Sequence, residues 1–170
     1  MKNDQQLFTR LLEPEYKRAN MFCRKLSGNP EKGDDLFQDA LVIAYKKLGS
    51  LRDNNAFRPW LYRIIINRFK SETRRPWFKQ TVPLSPEMEV SLEGDNPVDL
   101  NDARRWLAKA FLGLSSEMQA LVSLHELEGW SIEELARMFN RSDSWVKVNL
   151  FRARQKMRKI LEQDRNKQVE

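Results

Sequence analysis

Length, composition and charge restrict the kind of protein that this chain can be. Its 170 residues allow one or two small domains, and 30 Lys and Arg against 24 Asp and Glu leave a formal net charge of +6. This balance favours an anionic partner, either a nucleic acid or a membrane surface. A single cysteine, Cys23, and a single histidine, His125, exclude an internal disulfide and a four-ligand zinc site. We therefore expect no metal and no cofactor.

The sequence has no segment typical of a membrane span or of a secretion signal. Its longest apolar stretch surrounds Ile64–Ile66, which is far short of the roughly 20 residues that a spanning helix needs. Residues 1–10 contain no apolar signal-peptide region. We therefore expect a cytoplasmic protein.

The first half of the chain predicts three helices, because apolar residues recur at helical spacing and almost never alternate. One helix is predicted over about residues 4–27, and the next begins with Asn29 as its N-cap and Pro30 as its first residue. The apolar face of this second helix consists of Leu36, Phe37, Ala40, Leu41, Ala44, Tyr45 and Leu48. A third helix begins near Pro59, and its inward-facing residues are Trp60, Leu61, Ile64, Ile65 and Phe69.

A proline-containing acidic stretch interrupts the helical pattern. From Lys79 to Asp102 there are six acids and one base. We predict a flexible linker over residues 77–101, which separates a domain of residues 1–76 from one of residues 102–163, with a polar tail at 164–170. The acids either keep a tether soluble or have a role of their own.

The second domain is predicted to contain four short helices, over about residues 102–112, 115–128, 131–139 and 142–162. Ser131 and Glu134 have the spacing of a capping box, and Ser115 and Ser142 are suitable N-caps. The last two helices have the pattern of a helix-turn-helix, with Asn140 in the turn. The residues predicted to pack these two helices together are Ile132, Leu135, Ala136, Val146 and Leu150.

The last predicted helix is rich in basic residues, with nine bases against three acids from Arg141 to Lys167. A basic second helix of a helix-turn-helix is typical of DNA binding. The residues expected closest to base edges are Ser144, Trp145, Lys147 and Val148, and those suited to phosphates are Arg141, Arg152 and Arg154. Trp145 and Val148 have an alternative interpretation as packing residues.

A second basic cluster lies in and after the third helix, where Glu72 is the single acid among seven bases. These bases are Arg58, Arg63, Arg68, Lys70, Arg74, Arg75 and Lys79. Aromatic residues are interleaved with these bases, a combination that suits single-stranded nucleic acid. The spacing of Trp60 and Phe69 favours core positions for those two rings. Trp77 and Phe78, beyond the helix, are less clearly buried.

Two blocks of the sequence resemble a known family. The segment DDLFQDALVIAYKKLGSLRDNNAFRPWLYRIIINRFKSETRR resembles the second conserved region of extracytoplasmic-function (ECF) sigma factors, and the helix-turn-helix block, with its LFRAR, resembles their fourth region. The likeness extends over nearly the whole chain outside the linker and tail. It implies an all-α protein with a three-helix region 2 domain and a four-helix region 4 domain.

The resemblance also implies partners and site residues. The first domain would bind the clamp helices of core RNA polymerase and melt the minus-10 promoter element, and the second would read the minus-35 element and touch the polymerase flap. The implied core-polymerase-binding residues are Asp35, Gln38, Asp39, Tyr45, Lys46 and Lys47. The implied minus-10 contacts are Ser50, Arg52, Asp53, Asn54, Asn55, Ala56, Phe57, Arg63, Asn67, Arg68 and Lys70, with the loop and Phe57 accepting a flipped base. The minus-35 contacts would be Arg141, Ser142, Ser144, Trp145, Lys147, Val148, Arg152 and Arg154.

The resemblance further assigns the acidic linker a path toward the polymerase active-site and RNA-exit channel, and it implies an anti-sigma factor as regulator. One departure affects the minus-35 preference. Where family members often carry Gly-Thr-Val-Lys-Ser-Arg, this chain has Ser144-Trp145-Val146-Lys147-Val148-Asn149.

Two other kinds of DNA-linked or polymerase-linked protein remain open at the level of sequence. If the chain were a stand-alone helix-turn-helix regulator, the face from Asp34 to Lys47 would have no function. A sigma-mimicking partner-switch protein would not need the nine bases after residue 140. An enzyme has little support, because Cys23 and His125 lie beside apolar residues and no catalytic constellation or small-molecule site accompanies them.

Overall fold

Eight α-helices make up the described part of the chain, and no strand occurs in residues 2–74 or 97–167. The computed structural model, which describes these two ranges, divides into two compact units, Met1–Val82 and Pro83–Glu170. The predicted all-α fold class is confirmed. No helix in these ranges combines the length and the apolar character needed to cross a membrane.

The helices of the first unit are α1 Lys2–Leu12, α2 Tyr16–Ser27, α3 Pro30–Lys46 and α4 Phe57–Thr73, with 3-10 turns at Leu48–Ser50 and Asn54–Ala56. The helices of the second unit are α5 Pro97–Leu112, α6 Ser116–Val122, α7 Ile132–Phe139 and α8 Asp143–Lys167, with a π-helical segment at Ser123–Leu127.

The first predicted helix is in fact two helices, so the first unit has four helices and not three. The chain leaves the helical path between Leu12 and Tyr16. Pro14 accounts for the break, because proline lacks an N–H and its ring clashes with the preceding turn inside a helix. The periodicity of the apolar residues continues across the break, which is why the spacing alone missed it.

The junction between α2 and α3 follows the sequence prediction. Gly28 has a left-handed backbone with φ of 65°, and Pro30 is in the first turn of α3. The Asn29 side chain caps α3 by accepting a hydrogen bond from the Lys32 N–H at 3.1 Å. The two helices then pack so closely that a Cβ on Gly33 would lie 2.3 Å from the Cα of Arg24.

The core of the first unit is formed by apolar residues of α2, α3 and α4. Its largest fully buried side chains are Tyr62, Phe22, Phe37, Phe69, Leu26, Leu36, Leu61 and Ile65. Three predicted core residues are only partly inside: Leu41 is half-buried, Trp60 is half-buried against Phe57, and Tyr45 is 42% exposed with its ring edge-on to Phe8. All three lie at the border of an apolar face, where the neighbouring elements decide exposure.

The predicted linker largely lies outside the described residues, as do Arg75, Trp77, Phe78 and Lys79. Its last part differs from the prediction, because α5 begins at Pro97 and not near Asp102. Proline is favoured in the first turn of a helix, where no N–H is required. Pro97 therefore starts a helix where it was interpreted as part of a linker.

Local capping determines the starts of α6, α7 and α8, as predicted. Ser115 accepts a hydrogen bond from the Met118 N–H, and Ser131 and Glu134 form both halves of a capping box at 3.1 and 2.8 Å. The Ser142 hydroxyl accepts from the Trp145 N–H at 3.1 Å. Asn140 ends α7 with φ of 52°.

Two features of the second unit differ from the predicted helices. The segment predicted as one helix over 115–128 changes from α6 to the π-helical Ser123–Leu127. The last helix continues past Glu162 into the predicted tail, to Lys167. Asp164 explains the extension, since its carboxylate pairs with Lys109 of α5 at 2.7 Å and holds the end of α8 in place. Residues 168–170 lie outside the described chain.

Candidate functional site

The outer face of α3 carries most of the residues predicted to bind polymerase. The inner face buries Gly33, Leu36, Phe37, Ala40 and Ala44, and the helical period therefore turns the intervening positions outward. Asp35, Gln38, Asp39, Tyr45, Lys46 and Lys47 are all exposed. The structure thus brings the predicted set together at one helix and its C-terminal end.

Val42 belongs to this face and was missed by sequence reasoning. It follows Gln38 by one turn, precedes Tyr45 by one turn, and is 54% exposed. Its position is nearly opposite the buried face of α3, so it is not needed for the core. The available signal in the sequence was an apolar residue that the apolar pattern of α3 leaves out.

Asp39 and Arg68 were assigned to different partners, yet they bind each other. The Arg68 guanidinium donates to Asp39 Oδ2 at 2.6 Å and lies 3.1 Å from Glu72 Oε1. Two carboxylates therefore offset the one positive charge of this arginine. The pair joins α3 to α4, and a contact of Arg68 with DNA phosphate would have to compete with it.

The loop between α3 and α4 is built from the two 3-10 turns and their caps. The Ser50 hydroxyl donates to the Lys47 carbonyl at 2.7 Å, and Asp53 accepts from the Asn55 N–H at 2.9 Å. These local bonds order the backbone without using the core. Arg52, Asp53, Asn54 and Asn55 remain exposed, and Ala56 is half-buried.

Phe57 departs from its predicted role as a base-accepting residue. Its side chain is 3% exposed, and its ring packs edge-on against Phe8 at 6.0 Å. A ring in that position has no open face for a base, so Phe57 supports the loop from below. The reason is tertiary, because α1 supplies the ring that covers Phe57.

The outward side of α4 carries the remaining predicted minus-10 residues. Arg63 and Asn67 are exposed and one helical turn apart, and Lys70 follows within the next turn and is partly exposed. Arg58 is directed elsewhere, since its guanidinium lies over the Tyr62 ring at 5.9 Å and 3.6 Å from Glu15.

The outward face of α8 has the arrangement of a recognition helix. Val146, Leu150 and Ala153 are buried, one turn apart, and hold α8 against its unit. The opposite side exposes Ser144, Lys147, Val148, Phe151 and Arg152. The second helix of the helix-turn-helix therefore presents both basic and apolar groups to solvent.

Trp145 packs between the turn and α8, and its ring holds the side chain of Arg141, a predicted phosphate contact. Its half-buried ring lies 6.1 Å from the Phe139 ring, and the Arg141 guanidinium lies 5.3 Å from the ring centroid. Trp145 is thus largely a packing residue, in agreement with its alternative interpretation. The cation–π contact holds Arg141 at the entrance of α8.

Arg154 and Asn149 make contacts within the unit. The Arg154 guanidinium pairs with the carboxylate of Glu126 in the π-helical segment. The Asn149 side chain donates to the Trp145 carbonyl at 2.9 Å, one turn back along α8. Arg154 was predicted to bind phosphate, and a phosphate contact would have to compete with this exposed ion pair to Glu126.

Cysteine and histidine are in structural positions. Burial raises the pKa of the Cys23 thiol, and the nearby Asp34 and Glu72 carboxylates raise it further, so the thiol stays protonated. His125 Nδ1 lies 2.9 Å from the Trp130 carbonyl oxygen. Within residues 2–74 and 97–167, no group of three or more His, Cys, Asp and Glu side chains is arranged to hold a metal ion.

Comparison with known proteins identifies the family. The family model for Sigma-70 region 2 matches residues 11–78, and the model for Sigma-70 region 4 matches residues 104–157. The sequence is 30% identical over 168 residues to the ECF RNA polymerase sigma-E factor of Escherichia coli K12, with 91% of this chain and 86% of that protein covered. The chain belongs to the ECF sigma factors.

Further relatives of this sigma factor agree in sequence and fold. It is 29% identical over 158 residues to the ECF RNA polymerase sigma factor SigM of Mycobacterium tuberculosis, covering 93% of this chain and 79% of that protein. The sigma factor RpoE of Bartonella quintana, solved in complex with the anti-sigma factor NepR, has a TM-score of 0.65 at 24% identity, with 95% and 98% of the two chains covered. CnrH, solved in complex with the cytosolic domain of CnrY, has a TM-score of 0.64 at 24% identity, with 94% and 90% covered.

Family membership settles the general function. The chain is a transcription initiation factor that binds RNA polymerase and directs it to promoters, as its resemblance to the family predicted. The stand-alone regulator loses its support because both sigma regions match in order along one chain, and the sigma mimic loses its support because the relatives over almost the full chain are ECF RNA polymerase sigma factors.

Proposed function

We propose that the first unit binds core polymerase and the minus-10 element, and that the second unit binds the minus-35 element. The single observation that supports it best is the outward face of α8, where exposed basic residues lie opposite buried Val146, Leu150 and Ala153. A helix held in this way can enter a major groove without losing its own packing.

The polymerase-binding surface is the outer face of α3, which we call the α3 face: Asp35, Gln38, Val42, Tyr45 and Lys46. Two exposed apolar side chains at its centre, Val42 and Tyr45, would lose water on docking, and the polar residues around them would set orientation. Asp39 contributes less directly than the sequence suggested, because it already pairs with Arg68.

The minus-10 contacts are the exposed loop residues Ser50 and Arg52–Asn55, followed by Arg63, Asn67 and Lys70 of α4. The ordered loop would receive an unpaired base, and the basic residues of α4 would follow the phosphates of the same strand. Phe57 packs beneath the loop and stabilises its conformation.

Regulation is proposed to come from an anti-sigma factor that covers the α3 face. Two structurally similar proteins were solved with a bound partner, the anti-sigma factor NepR for the sigma factor RpoE and the cytosolic domain of CnrY for CnrH. The exposed Val42 and Tyr45 would be buried in such a complex. The factor would act in the cytoplasm with the polymerase, and the polymerase would perform all of the chemistry.

The test is a reconstitution with purified core RNA polymerase. The chain should bind core polymerase without DNA, and the holoenzyme should then transcribe specifically from a cognate promoter. Asp35→Lys should weaken core binding without affecting the fold, and it is a cleaner variant than one at Asp39 because Asp39 supports α4. Binding to duplex DNA alone, with no affinity for core polymerase, would contradict the proposal.

A further inference from the structure

An apolar strip lies at the centre of the outward face of α8. Val148 is 44% exposed and Phe151, one turn further, is 61% exposed. Val148 is almost directly opposite the buried side of the helix, which consists of Val146, Leu150 and Ala153. Lys147 and Arg152 flank the strip. Neither apolar side chain is needed to pack α8 against its own unit.

An apolar side chain on a groove-facing helix can recognise only one feature of a base pair in the major groove. The polar edges of the bases require donors and acceptors, whereas the C5-methyl group of thymine is apolar. Val148 is the sixth residue of α8, which begins at Asp143. The first turns of a recognition helix are the part that reaches base edges.

The neighbouring polar side chains are engaged within the protein. Asn149 donates to the Trp145 carbonyl, so a bidentate contact with adenine would require it to leave this position. Arg141 lies over the Trp145 ring. Direct reading by this part of α8 is therefore left to Ser144, Lys147 and Val148, of which only Val148 is apolar.

We propose that Val148 recognises the 5-methyl group of a thymine in the upstream promoter element and so determines the base preferred there. This inference rests on the proposed function, in which α8 enters the major groove of that element. The contact adds apolar burial and no hydrogen bond, so it distinguishes thymine from uracil as well as from the other bases.

The experiment uses holoenzyme made from the full chain and core polymerase. Sites are selected from a randomised duplex library, and the best-bound duplex is resynthesised with deoxyuridine in place of each upstream thymidine in turn. At one thymidine the loss of the methyl group should weaken wild-type binding about fourfold, the effect of exposing one buried methyl. Val148→Ala should bind both duplexes equally, and Val148→Ile should restore the preference for thymine.

Arg152→Ala is the matched control, because it changes a neighbouring outward residue of opposite chemistry. It should weaken binding to both duplexes by the same factor and keep the thymine preference. Equal binding of the two duplexes by the wild type, or a thymine preference that survives in Val148→Ala, would overturn the inference. A preference lost only in Phe151→Ala would also overturn it. If no sequence is enriched at all, the proposed function itself fails.

Discussion

Gly33 is the point of closest approach between α2 and α3. A Cβ at this position would overlap backbone atoms of Arg24, at 2.3 Å from Cα and 2.6 Å from N. Backbone cannot move aside as the end of a side chain can. The helices must therefore separate when any larger residue replaces Gly33.

We expect Gly33→Ala to lower the free energy of unfolding by about 1–3 kcal/mol, the usual cost of overpacking, despite the better helix propensity of alanine. Urea denaturation followed by circular dichroism measures this. Gly49→Ala is the matched control, because no atom lies within 4 Å of a Cβ there. Equal stability of the two variants would contradict the expectation.

Arg152 and Arg154 are two residues apart on α8 but have different surroundings. Arg152 is exposed on the outward face, whereas Arg154 is paired with Glu126. Arg152→Ala should therefore lower promoter affinity. It should also reduce the slope of the logarithm of the binding constant against the logarithm of the salt concentration by about one unit, the value of one phosphate contact. Arg154→Ala should change the slope less. Titrations of holoenzyme with promoter DNA at several salt concentrations compare them, and a larger slope change for Arg154→Ala would reverse the assignment.

The packing of α2 on α3 also includes an ion pair that responds to pH. Arg24 of α2 donates two hydrogen bonds to Asp34 of α3, at 2.7 and 2.9 Å, and these bonds hold the pKa of the Asp34 carboxyl below its ordinary value. A lowered pKa in the folded state means that this pair stabilises the fold above the unfolded pKa, which is about 4. The stabilisation is lost as the pH falls through the folded pKa.

We therefore expect Asp34→Asn to be less stable than the wild type at pH 6, with the difference shrinking as the pH falls below about 4. Urea denaturation over this pH range measures the difference. Arg24→Met keeps the aliphatic stem and should reduce the wild-type pH dependence in the same way. A stability difference that stays constant down to pH 2 would show that the ion pair is not its source.

At the scale of the whole molecule, we assign polymerase binding and the minus-10 element to the first unit and the minus-35 element to the second. A change on the α3 face should alter affinity for core polymerase and leave the promoter preference of the assembled holoenzyme unchanged. Val42 is the most direct probe, because it is exposed at the centre of that face and pairs with no charge.

Val42→Asp should weaken core binding by about tenfold or more, since burying a valine is worth about 1.5 kcal/mol at least and a buried unpaired carboxylate adds a penalty. Fluorescence titration of labelled chain with core polymerase measures the affinity. Met21→Asp is the matched control, being an exposed apolar residue on α2 of the same unit. An equal loss in both variants would indicate a general charge effect and no specific α3 face.

Local chemistry in the sequence determined the all-helical fold class and the starts of four helices. Asn29, Ser115, Ser131 and Ser142 cap helices through hydrogen bonds to residues three positions away, and these bonds depend on no distant part of the chain. For the same reason Asn140 was predicted correctly at the turn. The charge of α8 and the resemblance of two blocks to one family also required only the sequence.

The tertiary structure decided which of the outward residues are available. Phe57 is covered by Phe8, and Asp39 is engaged by Arg68 across 29 positions in the chain. Spacing along one helix cannot reveal these pairings, because each depends on how a second helix packs against the first. For Val42 the apolar pattern of α3 already carried a signal, and the packing of α2 and α4 on the opposite side of the helix decided that the residue is exposed.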